Sequence, residues 1–201
     1  MYYGQHGEDQ HIQEFFAPDH KGVCIDVGAN EPVSGSNTYY FEQKGWKVYS
    51  IEPNPYCVQR LKEHRQNVFN LAISDKNQKD VTFTICTLNN GEQGAISSLE
   101  IDEKLLQAHH MYSPKLEKIT VETKTLDTFI EENNIIEIDF VSIDTEGTEL
   151  DVLKGFDINK FSPKLFIIEN NYDSADIAEY LKDFGYVRVK RVAVNDFYVK
   201  Q

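Results

Sequence analysis

Short apolar runs that stop at Gly, Pro or an acid alternate along this chain with stretches of helical period, and no other feature limits its possible folds so much. "GVCIDVG" (22–28) reads as a strand, and "SNTYYFEQKG" (36–45) as a helix that begins at a Ser cap and stops at Gly. "KVYSIEP" (47–53) is a second strand stopped by Pro53, followed by a helix with Asn54 as cap and Pro55 in its first turn. "VFNLAIS" (68–74) is a third strand, and "DVTFTIC" (80–86) alternates like an added one. Beyond residue 118 come the strand "ITVETK", the helix "TLDTFIEENN", the strand "IDFVSID", the helix "TELDVLKGF", the strand "KLFIIEN" and the helix "SADIAEYLKDFG". "YVRVKR" and "VNDFYVK" close the chain as a hairpin around Ala193. Such alternation predicts right-handed βαβ crossovers in an α/β fold, with helices on both faces of a mostly parallel sheet and an antiparallel pair at one edge.

At 201 residues the chain is expected to form one domain, 1–201, since a typical domain takes ~150 residues. Residues 1–20 precede the first strand as a cap segment. Residues 87–118 mix turn residues with a short helical piece, and a connection of that length reads as an acceptor-binding lid. Twenty basic against thirty-three acidic residues give a formal charge of -13, which disfavours nucleic acid and anionic membrane surfaces as partners. No apolar run reaches the ~20 residues of a membrane span. The polar "MYYGQHGEDQ" is unlike a signal peptide, and Cys24, Cys57 and Cys86 read as reduced core thiols, so a cytoplasmic location is expected.

Four of the strands end in a carboxylate: Asp26, Glu52, Asp144 and Glu169. Parallel strands present these ends along one edge, where ligands bind in such sheets. Taken singly, each acid has an ordinary reading as a turn residue, a helix cap or an ion-pair partner. Together they call for a ligand bearing positive charge, hydroxyl groups or both. "VSIDTEGTEL" adds Glu146 and Glu149, expected in the first turns of the next helix, where they favour its positive end. Gly28, in "DVGANEPVSG", lets backbone approach a ligand, and Glu52 follows it by 24 residues, close to the ~20 that separate a glycine turn from a ribose-binding acid. No G-x-G-x-x-G is present, so a nucleoside without phosphates fits better than a dinucleotide.

"IDVGAN", "IEPNP" and "DFVSIDTEGTELDVL", with "GQHGEDQHI" ahead of them and "IIEN" behind, resemble the signature blocks of the FkbM-family methyltransferases. The resemblance runs from about residue 4 to 155. It implies a Rossmann-like, seven-stranded class I methyltransferase sheet ending in a β-hairpin, with S-adenosylmethionine as methyl donor and sugars or related metabolites as acceptors. On the positions that match, it implies that Asp26, Gly28 and Asn30 line the methionine part of the cofactor, that Glu52 and Pro53 hold its ribose, and that Ala72, Ile73 and Ser74 border adenine. Gln5 and Glu8 of the opening block and Asp144 complete the implied cofactor set. Many relatives carry Lys where this chain has Ser142, so no role for that lysine carries over.

Asp144, Glu169 and Asn170 are expected to meet beside the sulfonium methyl, similar to the Asp, Asp and Asn set of metal-dependent catechol-type methyltransferases. Hard oxygen ligands suit Mg²⁺ or Mn²⁺. The competing reading makes Asp144 the base itself, or only a cap, with Glu169 bonded directly to the acceptor. His109, His110 and His6 are further candidates for general base, since a neutral imidazole suits that work. The sequence therefore predicts an O-methyltransferase acting on a sugar hydroxyl of a glycan or glycoconjugate, assisted by a divalent metal. An NAD-dependent oxidoreductase and a non-catalytic acidic binding module are the alternatives.

Overall fold

A computed structural model describes residues 1–87, 96–101 and 114–201. His109, His110 and most of the expected lid lie outside the described residues. In chain order the elements are α1 (Glu8–Gln13), β1 (Val23–Val27), α2 (Tyr39–Gln43), β2 (Lys47–Ile51), α3 (Pro55–His64), β3 (Asn67–Phe69), β4 (Ala72–Ile73), β5 (Gln78–Thr87) and β6 (Lys115–Lys124). They continue with α4 (Leu126–Glu132), β7 (Phe140–Ile143), α5 (Glu149–Lys154), α6 (Ile158–Phe161), β8 (Leu165–Glu169), α7 (Asp176–Lys182), β9 (Tyr186–Val192) and β10 (Asn195–Lys200).

The main sheet has seven strands in the order β3-β2-β1-β7-β8-β10-β9. The first five run parallel, and β10 is antiparallel to both β8 and β9. The predicted α/β sheet and its terminal hairpin are thus present, with Ala193 in the left-handed conformation that a tight hairpin turn demands. Alternate residues of each strand face opposite cores, as the period of two requires. Ile25, Val27, Val141, Ile143, Phe166 and Ile168 pack with Phe129 of α4, Leu153 of α5 and Leu181 of α7. Cys24, Val48, Phe140, Leu165 and Ile167 face the other way, against Ile12 of α1, Phe41 of α2 and Trp46.

Local chemistry sets the helix starts. The Asn54 side chain accepts from the Tyr56 N–H at 3.0 Å with Pro55 in the first turn, and Thr125 Oγ1 accepts from the Thr128 N–H at 3.1 Å. One expectation fails in the middle of the chain. "VFNLAIS" is not one strand: β3 stays in the main sheet, but β4 leaves it to join β6 and β5 in a separate three-stranded sheet. The Asn70 side chain marks the break, donating to the carbonyls of Glu52 and Pro53 at 3.0 and 2.9 Å and turning the chain out of register. Among the described residues β5 therefore pairs only with β6 and, through a bridge at Thr84, with Ser98, and adds nothing to the main sheet.

Candidate active site

Strand register builds the site. Val27 is level with Ile51 on one side and Ile143 on the other, and Ile143 is level with Ile168. Gly28, Glu52, Asp144 and Glu169, one residue further on, therefore stand in a row along the carboxyl edge, where α/β sheets bind ligands. Gly28 has φ +85°, and a Cβ there would sit 1.7 Å from the Asp144 carbonyl oxygen. Its missing side chain thus makes room for the neighbouring strand end as well as for any ligand. The Gly28 and Ala29 N–H groups both donate to the Ile51 carbonyl, and the Asp144 N–H donates to Val27, which locks the three strand ends together.

Glu52 is buried, and its carboxylate is already held from both sides. Oε1 accepts from the Asn54 N–H at 2.8 Å, and Oε2 from the Asn30 N–H at 2.9 Å. Asn30 is left-handed, with φ +43°, which aims its N–H back at the acid. Burial pushes the Glu52 carboxyl up to about 7, against the pull of the two N–H donors. Beside it lies a narrow pocket walled by Leu71, Ala72, Ile73, Phe83 and Leu99, with Pro53 at its rim. An apolar slot with a carboxylate at one end has the chemistry of an adenosine site: faces for a base, acceptors for a diol.

Asp144, Glu146 and Glu169 form the second feature. Each brings a carboxylate oxygen within 4.8 Å of the others. Glu146 and Glu169 are buried, Asp144 is half-buried, and Glu169 Oε2 has no hydrogen-bond partner among the described residues. Burial first, and then repulsion from the neighbouring acids, drives Asp144 and Glu169 well above the usual carboxylate range. Such a pair holds a proton readily and gives it up to a bound cation.

Two expectations need correction here. Glu146 is not in the first turn of α5; it sits in the preceding turn with φ +56°, next to Gly147 at φ +106°, and this turn delivers its side chain to the acid cluster. Asn170 is not the third member of the set. Its Oδ1 accepts from the Ser174 N–H at 2.9 Å and its Nδ2 donates to the Ser174 carbonyl and to Asp196 Oδ2, both at 2.9 Å, so it closes its own turn. Glu149 does open α5, where its Oε1 accepts from the N–H groups of Thr145 and Gly147, both at 3.0 Å.

A wider cleft of about 830 Å³ adjoins the pocket and shares Gly28, Asn30, Asp144 and Glu146 with it. Asp26 and Gln5 line it, together with Tyr3, Asn37 and Ser142. Burial raises the Asp26 carboxyl, while Arg65 and the Thr38 hydroxyl pull it back. The N-terminal segment reaches the cleft because Gly4 bridges Gly35 and the Gly35 N–H donates to the Tyr3 carbonyl at 2.8 Å. Glu8 is not part of the lining: it accepts from the His6 N–H and from Asn195 Nδ2, tying that segment to β10. His6 is exposed and outside the lining, and Ser74 donates its N–H to the Lys124 carbonyl and is not among the residues that line the apolar slot. Leu71, Phe83 and Leu99 were missed. Leu71 lies between β3 and β4, Phe83 in β5 and Leu99 between β5 and β6, where no motif marks them.

Comparison with known proteins bears on the same row of strand ends. Residues 26–188 match the Methyltransferase FkbM domain. The chain belongs to the FkbM methyltransferase family. Membership implies methyl transfer from S-adenosylmethionine, in preference to the oxidoreductase and non-catalytic alternatives. It is 29% identical over 145 residues to 2-O-methyltransferase NoeI of Sinorhizobium fredii (strain NBRC 101917 / NGR234), covering 66% of this chain and 56% of that protein. The fold is similar to the crystal structure of methyltransferase FkbM from Methylobacillus flagellatus KT, with a TM-score of 0.53 and 16% identity over 90% of this chain and 44% of that one. The chain thus spans about half the length of the proteins it matches.

Proposed function

We propose that this FkbM methyltransferase moves the methyl group of S-adenosylmethionine to a hydroxyl of a carbohydrate acceptor, assisted by a divalent cation. The observation that carries the reading is the row itself: a diol-binding acid beside an apolar slot, then three crowded carboxylates opening on a polar cleft. The residues fit the cofactor, since Glu52 keeps lone pairs for two ribose hydroxyls and Leu71, Ile73 and Phe83 offer faces to adenine. When bound, S-adenosylmethionine supplies an electrophilic methyl on a sulfonium whose positive charge the surrounding acids favour.

Asp144 and Glu169 stand where the acceptor oxygen would lie next to that methyl. Their raised affinity for protons suits them to take the hydroxyl proton as the oxygen attacks in line, and the cluster fixes the angle of approach. Glu169 Oε2, Glu146 and Asp144 together fit a small hard cation, which would offset their charge and acidify a neighbouring hydroxyl. Asp26, Glu31, Asp144, Glu146 and Glu169 line the cleft, with no Lys, Arg or His among the described lining residues, which favours neutral polyols over phosphorylated ones. The name of the Sinorhizobium relative, a 2-O-methyltransferase, agrees with oxygen as the acceptor atom.

The test is a panel of neutral glycans, sugar phosphates and amines incubated with labelled S-adenosylmethionine, before and after exhaustive chelation and Mg²⁺ or Mn²⁺ addition. Methylation of a neutral glycan oxygen that chelation abolishes and the ion restores is the expected result. Full activity in the chelated protein would remove the cation and leave Asp144 as the base; methylation confined to amines would remove the carbohydrate.

A further inference from the structure

Arg65, the residue that ends α3, has a side chain closed off from solvent, although an arginine in that position ordinarily projects into water. Each of its three nitrogens donates. Nε donates to Glu42 Oε2 at 2.5 Å, Nη1 to the Pro32 carbonyl and to Ser36 Oγ, both at 3.2 Å, and Nη2 to Thr38 Oγ1 at 2.6 Å. Thr38 is completely buried and donates in turn to Asp26 Oδ2 at 2.6 Å. Asp26, Ser34, Gly35, Ser36 and Asn37 line the wide cleft; Arg65 and Glu42 do not.

The direction of this chain is fixed by chemistry. A guanidinium has donors only, so Thr38 Oγ1 accepts from Arg65, and its single proton goes to Asp26 Oδ2 at 2.6 Å in preference to Ser36 Oγ at 3.4 Å. A hydroxyl that would otherwise rotate is held as a donor to a carboxylate at the cleft wall. The same fork anchors the start and the middle of the 32–38 turn, which carries one wall of the cleft. Glu42 supplies the counter-charge that lets the guanidinium be buried, and it also accepts from the Gln66 N–H.

We propose that Arg65 is a positioning residue for the cofactor end of the cleft, acting through Thr38 to hold Asp26 in place and through Pro32 and Ser36 to set the turn beside it. This rests on the reading that the methionine part of S-adenosylmethionine lies at the end of the cleft lined by Asp26, Gly28 and Asn30, as the family resemblance implies. Arg65 touches no ligand; its effect is delivered by one hydroxyl proton and one backbone carbonyl.

The experiment compares S-adenosylhomocysteine affinity by calorimetry across four variants. Thr38→Val keeps the shape and removes the relay, and is expected to weaken binding about tenfold, the lower bound for losing a hydrogen bond to a charged group. Thr38→Ser restores the hydroxyl and with it wild-type affinity. Arg65→Lys keeps the charge opposite Glu42 but lacks the fork, and is expected to match Thr38→Val. In the double variant Thr38→Val/Arg65→Lys the losses do not multiply, because the second change acts on a link already cut. Wild-type affinity in Thr38→Val, failure of Thr38→Ser to rescue it, or multiplicative losses would each overturn the proposal. A second readout needs no ligand: a slowly exchanging Thr38 hydroxyl proton, seen by NMR in the wild type and lost in Arg65→Lys. If the wild type binds no S-adenosylhomocysteine, the assignment of the cofactor end fails while this signal still decides the relay; its absence from the wild type sinks the relay alone.

Discussion

Glu52 and the cluster of Asp144, Glu146 and Glu169 occupy the same edge of one sheet, yet they are prepared for opposite tasks. Both oxygens of Glu52 already accept backbone N–H groups, so its geometry is set before any ligand arrives. Glu169 Oε2 has no such donor among the described residues, and three carboxylate oxygens crowd within 4.8 Å. An acid held by two N–H donors keeps a hydroxyl-bearing ligand still, whereas crowded acids favour a proton or a cation between them. On the proposed function, binding and chemistry are divided between strand ends on either side of β1, and mutations should separate them.

The largest expected effect belongs to the cluster. Asp144→Asn keeps the shape but removes a base, so kcat should fall by roughly 10²–10⁴-fold, the usual contribution of general base catalysis, while S-adenosylhomocysteine affinity stays near wild type. Equal loss of affinity in calorimetry would mean that the two regions act as one. Glu52→Ala should do the reverse. It should weaken cofactor binding by about 1.5 to 3 kcal/mol, the range for hydrogen bonds to a charged group, with kcat at saturating cofactor little changed.

A smaller effect follows from pH. The Glu52 carboxyl sits at about 7, raised by burial, so it is neutral below that pH and charged above it. Ribose hydroxyls donate, and they favour the charged form. Cofactor affinity should therefore rise as pH passes upward through 7, by about tenfold per unit on the acid side. Asp144 and Glu169 also titrate high, so the decisive comparison is with Glu52→Gln, in which this part of the slope should vanish. A slope unchanged in Glu52→Gln would assign the proton to the cluster. The smallest effect concerns the support of the binding region: Asn54→Ala removes the side-chain cap of α3 and should cost about 1 kcal/mol in thermal or denaturant unfolding. Its backbone N–H still holds Glu52, so affinity should scarcely move. A large loss of affinity would show that the Glu52 region is less rigid than the comparison requires.

Much of this arrangement was legible from the chain. The residue that follows an apolar run is visible in the sequence, and parallel strands must bring such residues to one edge, so Asp26, Glu52, Asp144 and Glu169 could be grouped although they lie far apart in number. Asn54 with Pro55, and the hairpin about Ala193, were equally readable because caps and tight turns depend on adjacent residues. The departure of Ala72 and Ile73 from the main sheet was not. Its cause, the Asn70 side chain bonded to the carbonyls of Glu52 and Pro53, spans residues far outside any local period.

By itself, then, the sequence determined which elements form, their order, and the row of strand ends, since hydrophobic period and turn chemistry are local properties of the chain. Only the tertiary structure decided where individual side chains aim. Glu146 joins the acids because a left-handed turn swings it inward, while Asn170, next to Glu169 in sequence, is consumed by its own turn and by Asp196. Arg65 follows a polar helix end with nothing local to bury it, and it becomes the buried root of the Thr38–Asp26 link only through Glu42 folded against it. Side-chain aim depends on partners brought in by the fold, and a single strand of letters does not carry their distances.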